Sequence, residues 1–280
     1  MTSNYGSSGL ERGSLALARL GVCALVIAGA AIPLYLLAKQ ALTPELESFA
    51  WPPRWLPHDL TLAHFTSVFA VSELRSAVIR SFAVAIVSAA VATAMGAMLA
   101  YAMARGRTSR SLGFAAVSGA RLLPMIAVAI PLAVWLVALG LYDSPSGAGL
   151  ALVHAALALP TAALTAYSAF AAIPFELEEA AWLDGASPMR VFFSIDLPQA
   201  RGALAAAFIL CFILSWDEFG FALLIQVSNR TLPPLLYYYT VFGNVGPASA
   251  LALLMMVPAV VVVVALRPVL SGSLLGGGLR

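Results

Sequence analysis

The chain has 280 residues, of which 61% are hydrophobic and 10% charged, and its mean hydropathy is +0.94. Soluble domains carry about 25% charge, so this composition excludes an ordinary soluble domain and describes an all-α integral membrane protein with several crossings. The net charge of +2 comes from fourteen Arg and one Lys scattered at the ends of apolar runs; there is no basic stripe of the kind that binds nucleic acid.

Residues 1–14 are rich in Ser and Gly and read as a disordered cytoplasmic N-terminus. The apolar run that follows is longer than a signal-peptide core and shows no convincing cleavage site, so it reads as an uncleaved first span. A helix needs about 20 apolar residues to cross the hydrocarbon core. On that ruler six transmembrane helices are expected, at about 15–38, 77–103, 113–140, 147–171, 202–225 and 248–270. Cys23 and Cys211 both lie inside apolar runs, which suggests neither a disulfide nor a metal site.

Positive charge sets the orientation. With the N-terminus inside, Arg12, Arg19, Arg105, Arg107, Arg110, Arg190, Arg201, Arg267 and Arg280 fall on the cytoplasmic side. Lys39, Arg54, Arg75, Arg80 and Arg230 fall outside, and Arg121 near the inner end of the third span is expected to reach the headgroups. Both termini are therefore expected in the cytoplasm.

The outer segment 39–76 holds Trp51-Pro52-Pro53 and Trp55, a Pro-stiffened stretch suited to the membrane interface. Pro33, Pro124, Pro131, Pro160 and Pro258 fall inside spans, where proline leaves kinks that neighbouring helices can accommodate. His154 in the fourth span reads as a neutral ring bonded to a neighbouring helix. The fifth span carries adjacent acids, Asp217 and Glu218, between Trp216 and Phe219. An acid at mid-span costs about 2.5–3.5 kcal/mol even on lenient scales, so the pair points to a polar interior and a substrate pathway, or else to a structural acid capped by backbone. Tyr237, Tyr238 and Tyr239 fit an outer aromatic belt or gate. The tail, 271–280, is Gly-rich and is placed in the cytoplasm.

The segment 173–202 differs from a plain connector. Pro174 suits a first helical turn, Glu176, Glu178 and Glu179 suit a helix N-terminus, and Gly185 suits the left-handed residue that ends a helix. Ser187-Pro188 restarts a helix, Val191, Phe192, Phe193 and Ile195 give it a greasy side, and Pro198 is expected to stop it. Two short helices with an elbow at Gly185 follow from these residues.

Glu179-Ala180-Ala181, then Gly185 after three intervening residues, then Ile195-x-Leu197-Pro198 after nine more, resemble the EAA loop of ABC importer permeases. The run Asp184-Gly185-Ala186-Ser187 is similar to the carbohydrate-uptake branch of the maltose/glycerol-phosphate type, and Trp216-Asp217-Glu218-Phe219 resembles a motif of carbohydrate permeases. The resemblance covers about residues 60–280. It implies a six-span permease domain over 15–270 with a core at about 77–270, and a cytoplasmic coupling loop at 173–202. Glu179, Ala180, Ala181, Asp184, Gly185, Ile195, Leu197 and Pro198 would then couple to the ATPase. It also implies a sugar or related polyol as substrate and a bacterial cell membrane as location. The implied partners are a second permease subunit forming a heterodimer, two cytoplasmic ATPase subunits and an extracytoplasmic solute-binding protein, which the outer Trp segment could contact. The chain has no GxxxxGK[ST] motif, so it is expected not to be an enzyme and to hold no cofactor itself, ATP and Mg being bound by the ATPase partners. Another solute class, such as an amino acid or peptide, or an ion-coupled secondary transporter are the alternatives.

Overall fold

The computed structural model describes residues 7–276, and every regular element among the described residues is helical. In chain order these are α1 (Ser7–Leu42), α2 (Glu45–Ser48), α3 (Ala63–Ala70), α4 (Ser72–Arg105), α5 (Arg107–Ala120), α6 (Met125–Ala138), α7 (Ala148–Ala172), α8 (Glu176–Leu183) and α9 (Pro188–Val191). A π-helical turn, π1 (Phe192–Asp196), then leads into α10 (Leu197–Trp216), α11 (Gly220–Ile225), α12 (Leu232–Val241) and α13 (Val245–Gly276). Among the described residues five segments are long and apolar enough to cross a membrane: Arg19–Leu42, Ser72–Arg105, Ala148–Ala172, Pro188–Trp216 and Val245–Val262.

The chain divides into two units. One runs to Val68 and resumes at Tyr239–Leu254; the other holds Phe69–Tyr238 and continues from Met255. In the first, α1 exposes apolar side chains such as Leu25 and Ile27. The segment between α1 and α4 is held by local bonds: Glu47 accepts from the backbone N–H of His58 at 2.8 Å, and His64 Nε2 meets the Thr43 carbonyl at 3.0 Å. Trp51 and Trp55 stand exposed.

The second unit is built on α4, α7 and α10. The buried face of α4 is made largely of small residues, including Ala85, Ala89, Ala92, Gly96 and Ala100, at helical spacing. Small residues let membrane helices approach closely, which replaces the hydrophobic drive that lipid does not supply. A Cβ on Gly96 would lie 2.6 Å from Ala162 Cβ and 3.0 Å from the Ala162 carbonyl carbon. Gly96→Val should therefore push α4 from α7 and cost about 1–3 kcal/mol or more through overpacking. Gly202→Ala on α10, where the added Cβ meets nothing within 4 Å, should leave stability unchanged or slightly higher. Thermal unfolding of the two purified variants checks the contrast; equal melting temperatures would show that α4 and α7 are not tightly seated.

Several sequence expectations change. Ser7 already begins α1, whereas disorder is expected through residue 14. The third span is not one helix: α5 closes with Arg121 N–H bonded to Ser118 O and Leu122 N–H to Gly119 O, and α6 starts only after Pro124. Proline disfavours helix at the residue before it and supplies no donor, which breaks the run at 121–124. The fifth span also stops early, at Trp216, and resumes as α11. Tyr237, Tyr238 and Tyr239 lie on a helix, α12, and the tail continues α13 to Gly276, with 277–280 outside the described residues.

At one end of this unit Arg80 donates to the carbonyls of Pro145 and Arg230, at 2.9 and 2.8 Å. Asp143 accepts from the backbone N–H groups of Ser228 and Asn229. Burial pushes the Asp143 carboxyl up, but these hydrogen bonds outweigh it and hold it below the usual carboxylate value.

Candidate functional site

The loop after α7 forms its first helix as its residues dictate. Ile173 leaves the helix in an extended conformation, and α8 starts with acids in its first turn. At its end Gly185 takes φ +83°, Ala186 N–H bonds Ala181 O at 2.9 Å, and Gly185 N–H bonds Trp182 O at 3.0 Å. These paired bonds satisfy carbonyls the helix end would leave open, and they require a left-handed residue where Gly185 stands. Ser187 then caps α9, its hydroxyl accepting from Arg190 N–H at 3.4 Å, with Pro188 in the first turn.

The second loop helix does not stop at Pro198. α9 passes through π1 directly into α10, and Pro198 occupies the first turn of α10. The wider π turn provides the place where proline's missing donor is absorbed.

The structure brings Glu179, Ala180, Asp184 and Gly185 together on an exposed tip beside Trp182 and Leu183, the latter 89% exposed; Ala181 is half-buried there. Met189 and Phe193 add apolar surface beyond the elbow. Ile195 and Leu197 are half-buried at the root, where Leu197 packs against the cluster containing Phe170 and Phe192, and Pro198 is exposed there.

What holds this loop is a charge cluster that the sequence reading misses. Glu178 and Asp196 are buried, with side chains 1% and 0% exposed. Arg105, the last residue of α4, pairs with Glu178 through Nε and with Asp196 through Nη2 at 3.3 Å. Its Nη1 donates to Phe170 O at 3.0 Å, and Tyr101 OH donates to Glu178 at 3.2 Å. One guanidinium fork thus ties α8, π1 and the ends of α4 and α7 together. The signal in the sequence was a single acid, Asp196, inside an otherwise apolar run.

The second predicted set separates. Trp216 is buried against Phe82 and Phe212, and its indole N–H donates to Met255 O at 2.9 Å. Glu218 caps α11, accepting from Phe221 and Ala222 N–H at 2.9 and 3.0 Å, and it meets His154 Nε2 at 3.0 Å. His154 also bonds Ser215 at 2.8 Å, the cross-helix role expected of it. Asp217 and Phe219 remain exposed, with Phe219 set edge-on to Tyr237. Arg121 is exposed and donates to Thr161 on α7 at 3.0 Å.

The family model described as "Binding-protein-dependent transport system inner membrane component" matches residues 92–273. The chain belongs to that family. It is 31% identical over 245 residues to the sulfoquinovosyl glycerol transport system permease protein SmoH of Agrobacterium fabrum, covering 86% of this chain and 85% of that protein. It is 28% identical over 263 residues to the trehalose transport system permease protein SugB of Mycobacterium tuberculosis, covering 91% and 94%. A chain in the crystal structure of a bacterial ABC transporter involved in import of the acidic polysaccharide alginate superposes with a TM-score of 0.69 at 20% identity, covering 96% of this chain and 99% of that one, a likeness of fold. The family member described here is accordingly a multi-pass membrane permease subunit of an ABC transporter.

Proposed function

We propose that the chain is one of two permease subunits of a binding-protein-dependent ABC importer for a sugar or related glycoside. The observation that carries this reading is the exposed α8–Gly185–α9 tip on a charge-anchored root, a rigid projection for a partner to grip. In this reading the broken pair α5 and α6 together make a sixth crossing, both termini are cytoplasmic, and the tip sits in a groove of an ATPase subunit. ATP-driven closure of the ATPase pair moves the tip, the spans rock from inward-open to outward-open, and solute passes from an external binding protein into the membrane cavity. ATP and Mg are held by those partners. Glu179, Ala180, Ala181, Asp184 and Gly185 make the contact, while Ile195, Leu197 and Pro198 serve the root. The sugar assignment is supported by the glycoside relatives above. Asp217 and Phe219, an exposed acid beside an aromatic ring, suit a sugar path better than Trp216 and Glu218, whose polar atoms are already used.

Topology is the direct test. With Cys23 and Cys211 replaced, Leu183→Cys should label only from the cytoplasmic face, and Leu46→Cys, 94% exposed in the outer segment, only from outside. Labelling of Leu183→Cys from outside would end the importer reading.

A further inference from the structure

The break between α5 and α6 opens onto a cavity of about 310 Å³ whose walls include Leu132 of α6, Val153, Leu157 and Pro160 of α7, and Phe221 of α11. Arg121, on the broken stretch itself, is the only charged residue lining it. Its depth follows from its partner. Thr161 is near the middle of α7, thirteen residues from Ala148 and eleven from Ala172, or about 20 and 17 Å along the helix. If α5 and α6 together make the sixth crossing, Arg121, an exposed residue of this chain, lies level with the middle of α7 and so near mid-membrane. Among the described residues no carboxylate pairs with it, and Thr161 is the one side chain it bonds. Each of these features has a cost in lipid. Irregular backbone is tolerated at membrane depth only where it is buried in protein or lines a cavity, and a charged side chain there marks a pathway far more often than packing. Short breaks in spanning helices are also where membrane transporters gather their solute sites.

Resting on the importer reading above, we propose that Arg121 is a substrate-binding residue and that the cavity takes a sugar unit carrying an oxyanion, such as a carboxylate, sulfonate or phosphate. The guanidinium presents several N–H donors in a flat fork that matches such a group, and one of them is anchored on Thr161. The rest of the wall is apolar, so a neutral sugar would leave the cation desolvated and uncompensated, whereas an oxyanion neutralises it. The cavity volume lies at the lower end of the range for small-ligand sites, enough for about one ring.

The test needs no knowledge of the natural solute. Leu157→Cys is introduced into the complete transporter with Cys23 and Cys211 replaced, and labelled in membrane vesicles with anionic sulfonatoethyl methanethiosulfonate or cationic trimethylammonioethyl methanethiosulfonate. The anionic reagent should react at least about tenfold faster, and Arg121→Gln should abolish that preference while the ATPase subunits still co-purify. Equal rates, a preference that survives Arg121→Gln, or no reaction with either reagent overturns the proposal. Once a solute is identified, uptake of a neutral sugar at an unchanged rate by Arg121→Gln would reject it and leave the importer reading standing; absence of ATP-driven sugar uptake in the wild type would reject that reading instead.

Discussion

Arg105→Gln should be the most damaging single change in the loop's support. It leaves two carboxylates, Glu178 and Asp196, buried without their cation. Breaking a buried ion pair by removing one partner costs about 3–5 kcal/mol, most of it from the stranded charge. The loss should appear as a lower melting temperature and a poor yield of the membrane-inserted protein. The triple variant Arg105→Gln, Glu178→Gln, Asp196→Asn carries no stranded charge and should recover to within about 1 kcal/mol of wild type, since neutral replacements of buried ion networks are often tolerated. If the triple variant is as unstable as Arg105→Gln alone, the cluster's value lies in the Arg105 guanidinium set over the Tyr101 and Phe175 rings rather than in its ion pairs.

The second large effect is expected at Gly185. Its φ of +83° is strained for a residue with a Cβ, yet nothing stands within 4 Å of the place that Cβ would occupy. The cost to this chain is therefore backbone strain alone, about 1–2 kcal/mol, too little to unfold it. The consequence is a change of angle between α8 and α9, and a side chain on the exposed tip. Gly185→Val should insert and fold normally, while co-purification with the ATPase subunit, or stimulation of hydrolysis by loaded binding protein, falls about tenfold or more. Gly185→Ala should fall less. Docking and stimulation at wild-type levels in Gly185→Val would show that the elbow is a connector with no part in coupling.

These two sites differ in how far the sequence announces them. Gly185, Ser187 and Pro188 act on the backbone within a few residues, so their turn, cap and helix start could be read from their order. Arg105 acts on residues 73 and 91 positions away. No local pattern marks that pairing, and Glu178 looks like one more acid at a helix start until burial separates it from Glu179. Hydropathy failed for a related reason at 121–124 and 217–219. Both breaks carry charge, Arg121 in one and Asp217-Glu218 in the other, but they are short, and a window of about 20 residues averages them into their apolar flanks and sees one span. Pro124 alone suggests a kink, but the helix is interrupted completely over 121–124. The long apolar runs that became α4, α7 and most of α10 were legible because nothing inside them competes with the helix.

The π turn between α9 and α10 amounts to a one-residue insertion in an otherwise continuous helix. A π turn advances the chain by one more residue than an α turn, so the helix on either side is out of phase by about 100°. Removing one residue, Ser194 for example, would heal the irregularity and give a straighter helix with regular hydrogen bonds. The healed helix would also swing the tip about a quarter-turn around the α10 axis, carrying Glu178 away from Asp196 and from the Arg105 they share. A sequence one residue shorter here could make the better helix and the worse machine part, so at this position chain length itself, independent of side-chain identity, sets the direction in which the tip points.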